Sequence, residues 1–117
     1  MNGQPETYTE LMDMLDGIRD LFLRFSHVTG YLERELHYHV REAAAARNVG
    51  GPLTFDSYLR NRQCALLAYR ALQIADGKEL ETYLVDQDAV DRLIKRAQKE
   101  LLKEKEEEEA DAEDRAS

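Results

Sequence analysis

Nine residues early in the chain recur at alternating spacings of four and three: Leu11, Leu15, Ile18, Phe22, Phe25, Thr29, Leu32, Leu36 and His39. This spacing keeps one stripe of side chains on a single side of an α-helix. It is the heptad pattern of helices that pack against other helices. A β-strand would need alternation at every second residue, and the stretch has none. Met14, Leu21 and Val28 widen the stripe, which suits a helix in a bundle better than a lone two-stranded coil. Gly17 and Gly30 each cost about 1 kcal/mol relative to alanine in a helix interior. The register continues across Gly30, so one long helix over 6–46 is expected. Residues 1–5 read as a frayed end, with Pro5 suited to a first helical turn.

The sequence Asn48-Val49-Gly50-Gly51-Pro52-Leu53-Thr54 is the clearest interruption. Asn48 and the two glycines can end a helix with left-handed φ values, and Pro52 prevents simple continuation. Thr54 is the expected N-cap of a central helix over 55–76. On that helix Cys64, Leu67, Ala68, Ala71, Ile74 and Ala75 share one face, and Leu59, Leu66, Tyr69 and Leu72 a neighbouring one. A helix apolar nearly all round is the expected centre of a core. Asp76-Gly77 ends it, and residues 78–87 are either a short helix or a connector. Asp88 and Asp91 resemble a carboxylate cap for a last helix, whose apolar face is Val90, Leu93, Ile94, Ala97 and Leu101.

The fold expected is therefore all-α: a bundle of three to four helices, the long N-terminal one antiparallel to the central one. Residues 1–103 form a single helical domain, and 104–117 an acidic, disordered tail. The net charge is −8. Eight acids against Lys105 and Arg115 place −6 of it in the tail, which leaves the body near neutrality. An acidic chain of this kind argues against non-specific nucleic-acid binding as its main role. The single Cys64 excludes an internal disulfide and a multi-cysteine metal site. No secretory pattern precedes the first helix, and no apolar run approaches the ~20 residues of a membrane span. An intracellular, non-membrane protein is expected.

Few side chains form a chemical constellation. His37 and His39 point to different helix faces, and the Glu33/His37 and Glu35/His39 spacings lack further ligands. Cys64, one turn after Arg60, reads as core rather than nucleophile because its helix is so apolar. No phosphate loop or nucleophile elbow is present. The expectation is no enzyme, no metal and no cofactor. Arg60, Arg62, Arg70 and Arg47 read as ion-pairing residues, with Arg60 and Asp56 spaced for an i,i+4 pair. The alternative is an anion or nucleic-acid contact. Tyr31, Tyr38, Tyr58, Tyr69 and Tyr83 suit half-buried edges.

The string Arg60-Asn61-Arg62-Gln63-Cys64-Ala65-Leu66-Leu67-Ala68-Tyr69 resembles a signature of the GINS family of replication-complex subunits. One subunit type carries Arg-Asn-Lys/Arg-Arg-Cys followed by Leu-Leu-Ala-Tyr or a close variant. Arg60, Asn61, Arg62 and Cys64 match the first part, and Leu66, Leu67, Ala68 and Tyr69 the second. Gln63 stands where the family usually has a basic residue, and Ala65 is an extra residue between the two parts, worth about 100° of helix rotation. The family's helical domain has the same order of long helix, loop, signature helix and further helix. Its small β-rich domain has no counterpart in this sequence.

The resemblance implies a non-catalytic member of a hetero-oligomer that joins the MCM ring of the replicative helicase, nuclear in a eukaryote and otherwise cytoplasmic. Arg60, Asn61 and Arg62 would be polar anchors, and Cys64, Leu66, Leu67 and Tyr69 packing residues. A different function is a small helical nucleic-acid-binding subunit of a ribonucleoprotein, of the CRISPR-effector small-subunit type. That reading requires Arg24, Arg34, Arg41 and Arg47 to join Arg60 and Arg62 in one exposed basic stripe.

Overall fold

A computed structural model describes residues 7–116; the expected frayed end and Pro5 lie outside the described residues. The described chain is three α-helices: α1 (Tyr8–Val49), α2 (Pro52–Ala75) and α3 (Tyr83–Ala116). The all-α fold is as the periodicities predict. Contacts divide the chain into two compact units, Met1–Tyr31 and Leu32–Ser117. The first unit is the opening stretch of α1. The second holds the rest of α1 with α2 and α3.

Each helix end has a local cause. Thr7 opens α1, its Oγ1 accepting the Glu10 N–H at 3.1 Å. Neither Gly17 nor Gly30 interrupts α1. Gly50 and Gly51, at φ +73° and +90°, make the reversal into α2, and Pro52 occupies its first turn. Asn48 stays helical and ties α1 to α3. Its Nδ2 donates to the Gln98 carbonyl at 3.2 Å, and Gln98 Nε2 donates to its Oδ1 at 3.1 Å. Thr54 is not the N-cap. Because α2 starts at Pro52, Thr54 lies inside the helix, and its hydroxyl donates back to the Gly50 carbonyl at 2.9 Å.

Gly77, at φ +74°, closes α2 with paired bonds from Gly77 N–H to the Ile74 carbonyl and from Lys78 N–H to the Gln73 carbonyl. Residues 78–82 are a connector, and Tyr83 begins α3. Its cap is Thr82, whose Oγ1 accepts the Val85 N–H at 3.3 Å. The expected Asp88/Asp91 cap does not form: α3 starts five residues before Asp88, so both are interior helix residues. α3 runs on through the acidic segment to Ala116. Glu, Lys and Ala are strong helix formers, yet every side chain from Leu102 to Ala116 is exposed.

The core of the second unit is built mostly from small residues. α1 supplies Val40, Ala43 and Ala44; α2 supplies Ala65 and Leu66; α3 supplies Val90, Ile94 and Ala97. Alanines at the crossing points let the helix axes approach closely. Leu36, Tyr58, Tyr69, Leu93 and Leu101 pack around this centre. The last helix thus buries the face its spacing predicts. The chain reverses between α1 and α2 as expected, with the Arg47 guanidinium 4.8 Å from the Tyr58 ring centroid. α2 and α3 run antiparallel, since Arg62 meets Asp91 while Arg70 meets Asp86.

Candidate interaction face on the signature helix

A helix turns about 100° per residue, so consecutive polar residues must point three ways. That is how the head of α2 is used. Asn61 turns to α1: its Oδ1 lies 2.8 Å from His39 Nδ1. Asn61 Nδ2 meanwhile donates to the Ser57 carbonyl at 2.8 Å, which fixes the amide's orientation. His39 Nε2 lies 3.1 Å from Glu35 Oε2, so both ring nitrogens face acceptors. Arg62 turns to α3 and grips Asp91 through two parallel bonds, Nε to Oδ1 at 2.7 Å and Nη2 to Oδ2 at 2.8 Å. The hydrogen bond that Arg62 donates to Asp91 holds its guanidinium above the ordinary arginine range, against the opposing effect of partial burial. Arg60 points outward and, among the described residues, has neither an ion pair nor a hydrogen bond; the expected pair with Asp56 does not form.

The rest of the signature divides in the same way. Leu66 is 1% exposed and Tyr69 is half-buried against the core. Cys64 is exposed and Leu67 is 58% exposed, so neither belongs to the intramolecular core expected for them. The reason is rotation: Cys64 and Leu67 lie about 160° and 100° around the helix from Leu66. Ile74, 60% exposed, continues their face. Arg60, Cys64, Leu67 and Ile74 therefore form an apolar strip with a cationic head on the side of α2 turned away from α1 and α3.

Two structural groups go beyond what the sequence suggests. Asp86 is almost fully buried, and Arg70 Nη1 donates to its Oδ2 at 2.6 Å while also reaching the Glu81 carbonyl. The i,i+16 separation across a loop leaves no local spacing that would show this pair. Ala43 and Ala44 do have a signal: the run Ala43–Ala46 just before the Gly50-Gly51 turn marks a place where helices can come close.

The basic residues do not gather into a stripe within the second unit. Arg41 pairs with Glu104 at 3.0 Å, Arg47 lies over Tyr58, and Arg62 is bound to Asp91. Arg34 and Arg60 are exposed. Among the described residues no three His, Cys, Asp or Glu side chains converge as metal ligands, and no helix is long and apolar enough to cross a membrane. No protein-family model, curated protein or solved structure matches the chain.

Proposed function

We propose that the chain is a non-catalytic interaction subunit of a multi-protein assembly, resembling a GINS subunit of the replicative helicase complex. The observation that supports this reading is the division of the signature helix. Asn61, Arg62, Leu66 and Tyr69 hold the fold together, whereas Cys64, Leu67 and Ile74 stay exposed beside the uncompensated Arg60. An exposed apolar strip of this kind suits contact with another protein. An arginine at its end supplies a directional contact to a carboxylate or carbonyl of the partner. In this reading the functional surface is the back of α2, and Arg62 and Asn61 act by setting its angle. A eukaryotic protein of this kind would act in the nucleus.

Affinity purification of the tagged chain, with quantitative mass spectrometry, tests the reading. Stoichiometric recovery of replication-helicase proteins is the expected result. A salt-sensitive shift of RNA by the purified chain, without such proteins, would overturn it in favour of a ribonucleoprotein subunit.

A further inference from the structure

The opening stretch of α1 carries a wide apolar stripe, and it is exposed. Phe22 is 68% exposed, and Leu11, Leu15, Ile18 and Phe25 are exposed with it. At its middle Ile18, Leu21, Phe22 and Phe25 frame an open depression of about 530 Å³. From Leu11 to Thr29 the stripe is about 27 Å long at 1.5 Å per residue. A strip of this extent is a partner surface.

We infer that this stretch pairs antiparallel with the same stretch of a second copy of the chain. Charge favours that occupant and that direction. Residues 8–20 carry Glu10, Asp13, Asp16 and Asp20 against Arg19, a net −3. Residues 21–31 carry Arg24 and no acid, a net +1 with His27 neutral. Parallel copies would set the acidic half on the acidic half. Antiparallel copies set each acidic half against the basic half of the other, a complementarity that fixes orientation more than affinity.

The heptad register fits the same arrangement. With the two-fold axis at Asp20, Leu11 faces Thr29, Leu15 faces Phe25 and Ile18 faces Phe22 of the second copy. Every layer then joins the two seam positions of the heptad, as antiparallel pairing requires. The widening residues decide against the parallel form. In a parallel pair one flank faces the other, which sets Met14 and Leu21 against the flank of Met12, Arg19 and Ser26. In the antiparallel pair each flank faces itself: Met14 meets Val28 and Leu21 meets Leu21 of the second copy. The one like-charge encounter, Arg19 with its copy, is offset by Asp16 at 3.6 Å.

This pairing does not rest on the assembly reading, because it is tested with the purified chain alone. Light scattering of the full chain over the micromolar range is expected to give twice the 13.5 kDa chain mass. Phe22→Glu is expected to give the monomer mass with the far-UV helical signal of α2 and α3 retained. Direction is read with a short bismaleimide in a Cys64→Ser background. Leu21→Cys is expected to link to itself, and Met14→Cys to link to Val28→Cys but not to itself. A monomer at every concentration, a dimer indifferent to Phe22→Glu, or self-linking of Met14→Cys as ready as that of Leu21→Cys would overturn the inference.

Discussion

Two arginines on α2 differ sharply in what they hold. Arg70 neutralises a buried carboxylate, Asp86, whereas Arg60 stands in solvent. Removing one partner of a buried pair leaves an uncompensated charge and costs about 3–5 kcal/mol. Arg70→Ala is therefore expected to lower unfolding stability by that amount in urea titrations, while Arg60→Ala changes it by no more than ~0.5 kcal/mol. The neighbouring leucines give the apolar version of the comparison. Leu66→Ala empties a buried site and is expected to cost about 2–5 kcal/mol. Leu67→Ala removes an exposed side chain and should leave the unfolding midpoint nearly unchanged. Equal costs for the two would contradict the assigned rotation of α2. Arg62 sits between these extremes. Its pKa is raised by Asp91, so its contribution is fully present below the unfolded arginine range and is lost only as pH rises through the higher folded value. Stability near neutrality is thus expected to be flat with respect to Arg62 titration.

The elements are legible in the sequence where a cause is local. Gly50-Gly51-Pro52 marks the reversal, Gly77 marks the end of α2, and the α3 face from Val90 to Leu101 follows from spacing. Because Gly50 and Gly51 need positive φ, Gly51→Ala is expected to destabilise by about 1–2 kcal/mol even though its Cβ would meet nothing. Thermal unfolding checks this, and a neutral outcome would show that the turn adopts another geometry. The helix starts are harder to read. Thr54 and Asp88/Asp91 are plausible caps by residue type, but Pro52 and Thr82 begin their helices earlier. Cap chemistry identifies candidates, and the backbone path selects among them. The inward face of α2 is illegible for a similar reason. A helix that is apolar nearly all round has no periodicity to say which side faces inward, so Cys64 and Leu67 look as central as Leu66.

At the scale of the whole molecule, the strongest apolar pattern and the internal core are in different places. The heptad stripe of residues 11–28 is exposed, while the buried part of α1 is Val40, Ala43, Ala44 and Ala46. Hydrophobic spacing records that a face is meant for contact, without recording whether the contact is within the chain or with another. Among the described residues the largest fully buried side chains are Leu66 and Val90, so the internal core gains little apolar burial for its length. Faces left open on α1 and on the back of α2 follow from this, and the proposed reading is that partners cover them. The most direct measurement of that claim is quantitative affinity purification of the wild-type chain beside Leu67→Glu, with thermal unfolding of both. Stoichiometric partner subunits are expected with the wild type, with their loss in Leu67→Glu and an unchanged unfolding midpoint. Full partner recovery by Leu67→Glu, or no stoichiometric partner for the wild type, would contradict it.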